Sequence, residues 1–290
     1  MPSTLEMDIT LATHFNNMEK LESLLSQPLD KVNMDMIFRH ACTQGHIDAV
    51  KTLLKYYNPK DNTGFVFACR KGYSEIVKLL LADPRTDPTM AYNLGIIFAA
   101  QEGHSDIVEM LLTDPRINPA NDFDTMYVEP GKIKLEVSAV AADAIAADDS
   151  TDAIAADDSP RGNSALILAC AAGHLDTVEL LMNDDRVEPH AQHQMALLFA
   201  VEGKHIAIID YLLSDSRVKP TFLILLTAVC DASELIVQKL LDSRNWSKNE
   251  RSLMARITKL IREGTWTTHQ TNQAKMFPTL VSVKKMLQSD

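Results

Sequence analysis

The chain has 290 residues, 46% hydrophobic and only 6% aromatic, with a formal net charge of −11. That apolar content excludes a wholly disordered chain, and its supply by Ala, Leu, Ile, Val and Met points to packed helices. Six acidic residues (Asp143, Asp148, Asp149, Asp152, Asp157 and Asp158) share one short stretch, and the remainder still stands at −5, which argues against a basic nucleic-acid-binding body.

The N-terminal MPSTLEMDIT lacks the basic start and apolar run of a signal peptide, and no stretch of about 18 apolar residues is present to span a bilayer. A soluble, intracellular, monomeric protein is the expectation. Cys42, Cys69, Cys170 and Cys230 lie far apart with no C-x-x-C pair, so reduced thiols are expected rather than a disulfide scaffold or a zinc ligand set.

One 14-residue pattern occurs seven times, starting at Ala12, Ala41, Ala68, Ala99, Ala169, Ala200 and Ala228, with spacings of 29, 27, 31, 70, 31 and 28 residues. Its first position is always Ala and its second is small (Thr13, Cys42, Cys69, Ala100, Cys170, Val201, Val229), as close helix approach requires. The tenth is aliphatic (Leu21, Val50, Val77, Val108, Val178, Ile209, Val237) and the thirteenth is Leu throughout (Leu24, Leu53, Leu80, Leu111, Leu181, Leu212, Leu240). Positions 10, 13 and 14 form the stripe of an amphipathic helix. Between the two halves stands Gly45, Gly72, Gly103 or Gly173, a residue able to end one helix in the left-handed region; Asn16 and Lys204 stand there in the first and sixth copies. Each copy therefore predicts a helix–turn–helix, and copies must stack because a single pair cannot bury both faces.

The form A-x-x-G-H-x-x-[IV]-V-x-x-L-L, as in Ala100 to Leu112, resembles the helical half of the ankyrin repeat over about residues 8–120 and 163–244. The resemblance implies an all-α, ankyrin-type α-solenoid of about seven repeats. Two features depart from the family pattern. Segments such as Asn93 to Phe98 and Asn163 to Leu168 replace T-P-L-H, removing the Thr and His hydrogen bonds of that motif. A D-x-R-x-x-P cassette (Asp83/Arg85/Pro88, Asp114/Arg116/Pro119, Asp184/Arg186/Pro189, Asp215/Arg217/Pro220) replaces the usual exit, and reads as a helix-terminating turn with its own ion pair.

Residues 1–120 thus predict repeats one to four and residues 163–245 repeats five to seven. Residues 121–162 contain DAIAADDS twice, at Asp143 to Ser150 and Asp152 to Ser159, and read as an acidic low-complexity insertion and a candidate hinge. Its Asp pairs lack calcium-loop spacing. Residues 246–290 carry eight basic and three acidic residues. They predict a helical cap with a capping box at Ser247-Lys248-Asn249-Glu250, an apolar face of Leu253, Ile257, Leu260 and Ile261, and a second short helix from Pro278 to Leu287. The alternative is an effector or adaptor whose activity or second docking site lies in this basic tail.

No nucleotide, hydrolase or metalloprotease motif is present, and the recurring His46, His104, His174 and His205 occupy one turn-adjacent column. No catalytic residue, metal or cofactor is expected. The resemblance implies binding of another protein on a concave surface built from the two positions before each turn residue. These are Thr43 and Gln44, Arg70 and Lys71, Gln101 and Glu102, Ala171 and Ala172, and Glu202 and Gly203. Met90, Tyr92, Phe123, Gln192 and His193 are the corresponding hairpin-tip candidates.

Overall fold

A computed structural model describes residues 4–29, 32–59, 62–120, 162–230, 233–252 and 254–255, with the backbone alone at 90–92, 192–193 and 230. All regular structure among these residues is helical. The first four helix pairs are α1 (Thr4–His14) and α2 (Met18–Leu25), α3 (Met34–Gln44) and α4 (Ile47–Tyr56), α5 (Thr63–Lys71) and α6 (Ser74–Leu81), and α7 (Met90–Glu102) and α8 (Ser105–Leu112). Three further pairs follow: α9 (Ser164–Ala172) and α10 (Leu175–Met182), α11 (Ala191–Glu202) and α12 (Ile206–Ser214), and α13 (Phe222–Cys230) and α14 (Glu234–Asp242).

The chain divides into two compact units, one of residues 1–123 and 164–187, the other of residues 124–163 and 188–290. In the first unit α1, α3, α5, α7 and α9 pack in series as one layer, and α2, α4, α6, α8 and α10 form the layer behind. The fifth pair stacks directly on the fourth, α9 on α7 and α10 on α8, so the stack is continuous where a hinge was expected. In the second unit α11 packs on α12 and α13, and α13 on α14.

The recurring columns are the core. Every first-position Ala and every tenth-position aliphatic residue is buried, as are the small second-position residues. The leucine column is buried from Leu53 to Leu240, whereas at the edge of the stack Leu25 is buried instead of Leu24. Gly45 and Gly103 show why glycine stands at the turn. Both have φ of 77°, and a Cβ would lie 2.8 Å from the Tyr73 ring at Gly45 and 2.5 Å from His174 Nδ1 at Gly103. Left-handed geometry and a ring from the next repeat thus impose the same residue. In the sixth copy Lys204 takes the left-handed turn at φ 58°.

The Asp/Arg cassettes do more than end helices. Each arginine holds its aspartate with Nε and Nη2, and its backbone N–H donates to the same carboxylate. Arg85 also donates to the carbonyls of Tyr57 and Leu54 (3.3 and 3.1 Å), Arg116 to Thr86 (3.1 Å), and Arg186 to Ile117 and Leu112 (2.8 and 3.0 Å). The guanidinium therefore ties its repeat to the one before, answering backbone acceptors near a helix end.

A second tie replaces the missing T-P-L-H bonds. Buried Asn93 and Asn163 adopt φ of 62° and 71°, and their side-chain amides donate to the carbonyls of Asn118 and Glu188, each just before a cassette proline. At the C-terminal side, Trp246 is buried and donates to the Leu240 carbonyl at 3.2 Å, while Arg244 stacks 3.8 Å from the Trp246 ring centroid. The Ser247/Glu250 capping box forms in both directions, and Met254 is fully buried. Through its bond to Leu240, Trp246 closes the C-terminal turn of α14. The rest of the basic tail, Leu253 and the acidic insertion lie outside the described residues, as does Phe123.

Candidate partner-binding face

In the first unit the second-helix layer covers one side of the first helices, and the opposite side is the inner face. Two contacts register its columns between neighbouring repeats. The Arg70 guanidinium lies 5.1 Å from the Phe98 ring centroid, and the His14 and His40 rings stack at 5.5 Å. The third position of one repeat therefore adjoins the residue preceding the alanine of the next. That preceding column reads Leu11, His40, Phe67, Phe98 and Leu168. Leu11 is 44% exposed, His40, Phe67 and Phe98 are half-buried, and only Leu168 is buried.

The expected pairs of the first unit stand at the C-terminal ends of α3, α5, α7 and α9 and differ in exposure. Thr43 is half-buried, its hydroxyl donating to the Arg39 carbonyl at 2.7 Å, and Gln44 is exposed. Arg70 and Glu102 are exposed and pair with each other, Nε to Oε1 at 3.4 Å. Lys71 is exposed, Gln101 half-buried, Ala171 half-buried and Ala172 exposed. In the second unit Glu202 is half-buried and Gly203 exposed at the end of α11.

The hairpin-tip expectation needs correction for four residues. Met90 and Tyr92 lie in the opening turn of α7, and Gln192 and His193 in that of α11. α7, α11 and α13 each begin two residues after a cassette proline (Pro88, Pro189 and Pro220), and Asp87 receives the backbone N–H and hydroxyl of Thr89 just before α7.

Two features escaped the sequence reading. The column Leu11, Phe67, Phe98 lies one residue before each recurring alanine, and its apolar character is visible in the sequence once that register is known. The turn histidines also carry a function of structural kind: His46 Nε2 bonds the His14 carbonyl and His104 Nε2 the Arg70 carbonyl, both at 3.1 Å, so each ring seals the preceding turn.

The chemistry of the remaining groups is muted. Burial pushes the Cys42 thiol up to about 12 and those of Cys69 and Cys170 still higher, which keeps them as unreactive thiols. Among the described residues no three His, Cys, Asp or Glu side chains converge as metal ligands. No helix among them is long and apolar enough to cross a membrane. Between α8 and α10, on the outer layer, a groove of about 400 Å³ is lined by the carboxylates of Asp106, Glu109, Asp176 and Glu179.

Stacked helix pairs, tied turn to turn and bearing a half-exposed apolar face, define a helical-repeat protein. Residues 9–92 and 142–222, more than half of the chain, match the family described as Ankyrin repeats (3 copies), and the chain belongs to that family. Ankyrin repeats mediate protein–protein interaction, and proteins built from them are typically non-catalytic. No curated protein matches the chain.

Proposed function

We propose that this protein is a non-catalytic adaptor that binds a partner protein along the inner face of its first helices. One observation carries the reading: the column Leu11, His40, Phe67 and Phe98 stays wholly or half exposed in four successive repeats, while the alanine column beside it is buried in all of them. Apolar and aromatic side chains retained at a surface in register supply the desolvated anchors of an interface. The adjacent pairs Thr43/Gln44, Arg70/Lys71 and Gln101/Glu102 differ from repeat to repeat, which suits them to specificity.

The test is affinity capture with the full chain and with a variant in which Arg70, Lys71, Gln101 and Glu102 become alanine. A folded variant that loses a reproducible partner supports the reading. A variant that keeps every partner, while truncation after residue 255 removes them, overturns it in favour of the basic tail. Ending the truncation at 255 preserves the buried Trp246 and Met254.

A further inference from the structure

The exposed apolar surface of the inner face is concentrated at one end. Met7 and Leu11 on α1 and Phe15, the residue after its end, recur every four residues and are 52%, 44% and 74% exposed; Met36, at the Met7 position of the next repeat, is 36% exposed. The corresponding positions in the next three repeats are Thr63, Phe67 and Lys71, then Leu94, Phe98 and Glu102, then Ser164, Leu168 and Ala172. After the second repeat the flanking positions turn small or charged (Thr63, Lys71, Glu102, Ser164, Ala172), and of the large apolar residues that remain, Phe67, Leu94 and Phe98 are half-buried and Leu168 is buried.

Charge changes along the same face. In repeats one to three its columns hold Arg70, Lys71, His14 and His40 and no carboxylate. Arg70 shares its charge with Glu102, whereas Lys71 has no ion-pair partner among the described residues. Over the same three repeats the second helices balance Lys20, Lys51, Lys55 and Lys78 against Glu19, Glu22, Asp48 and Glu75. The outer layer turns acidic at the α8/α10 groove with its four carboxylates, and the whole chain stands at −11. A locally basic, apolar patch on an acidic molecule draws an acidic partner to the inner side of repeats one to three, and the α8/α10 groove repels it.

We infer that the inner face of repeats one to three is the anchor site for an acidic amphipathic helix of a partner protein. The inference rests on the inner-face reading above and names the partner chemistry that face accepts. Met7 and Leu11 on α1 together with Phe15 just past its end span about 12 Å, the length over which a partner helix presents apolar residues at i, i+4 and i+7. Met36 widens the ledge on the α3 side. Carboxylates on the flank of the incoming helix meet Lys71 and Arg70, and the imidazoles of His14 and His40 offer further hydrogen-bond donors beside them.

The experiment selects binders to the immobilised full chain from a phage-displayed library of random 16-residue peptides. The expected winners carry a net negative charge and apolar residues at helical spacing. A selected peptide, labelled and titrated, should bind Phe15→Glu about tenfold more weakly and Lys71→Glu several-fold more weakly, with Lys78→Glu on the outer layer unchanged. Phe15 and Lys71 are surface residues, and circular dichroism of each variant checks that the fold is kept. Winners that are basic or lack the helical spacing overturn the inference, as does a library that yields none. Binding unaffected by Phe15→Glu but lost in Phe98→Ala overturns it while leaving the inner-face reading intact. Binding lost only in Glu109→Lys overturns both.

Discussion

Arg186 donates to the carbonyl of Ile117 at 2.8 Å across 69 residues of sequence, the same kind of bond that Arg85 makes to Tyr57 across 28. The fifth repeat is thereby docked on the fourth as if the intervening segment were absent. Excising 39 residues, 122–160, restores the 31-residue spacing of the neighbouring repeats. The expected outcome is a chain that unfolds at the same or a slightly higher temperature, since a shorter loop costs less closure entropy. A fall in Tm of more than a few degrees would show that the insertion supports the stack.

Removal of the tie itself should be felt. Arg186→Ala loses the bonds to Ile117 and Leu112 and leaves Asp184 with only the backbone N–H at position 186. The guanidinium side is 38% exposed, which discounts the effect. A loss of about 1–2 kcal/mol in urea unfolding is expected. Arg186→Lys should recover little of it, because an ammonium cannot serve the carboxylate and two carbonyls in one plane.

The architecture was largely legible because the repeats obey a register. A column that is always Ala and another that is always aliphatic can only be a core repeated seven times, and burial of Ala12 through Ala228 and Leu21 through Val237 follows. Long-range ties were hidden because each is a single side chain reaching into another repeat. Arg186 reads locally as the partner of Asp184, and nothing in its neighbourhood names Ile117. Asn93 and Asn163 share one offset from the alanine, six residues before it, which is the signal that could have revealed the amide column. Met90 and Gln192 fall in helices because α7 and α11 begin only two residues after Pro88 and Pro189, which leaves no room for a longer tip.

The turn residue is open to test in both directions. Gly103→Ala places a side chain at φ 77° and against the His174 ring, so a loss of about 1–2 kcal/mol is expected. Lys204→Gly relieves a non-glycine residue at φ 58° and should raise stability by about 0.5–1 kcal/mol. Paired denaturation curves of the two variants check both signs.

Acid stability follows from the cassettes. The side-chain hydrogen bond from the arginine two residues on is the main cause holding Asp83, Asp114, Asp184 and Asp215 below their ordinary 3.8. Carboxyls lowered in the folded state stabilise it fully above pH 3.8, and that contribution is lost as pH falls through their folded values. His40 adds a second window. Burial first, then His14 and His46, hold it below its ordinary 6.5, so its contribution is full above pH 6.5 and declines below it. Stability measured from pH 7.5 to 3 should fall in two steps, and His40→Gln should flatten the upper one alone.

The central claim, that a partner is held on the inner face, is tested most directly by site-specific photo-crosslinking in cells. A photoreactive phenylalanine analogue placed at Phe67 is predicted to yield a discrete covalent adduct with another protein, and the same probe at Lys78 on the outer layer none. An adduct formed from Lys78 with none from Phe67 would contradict the account.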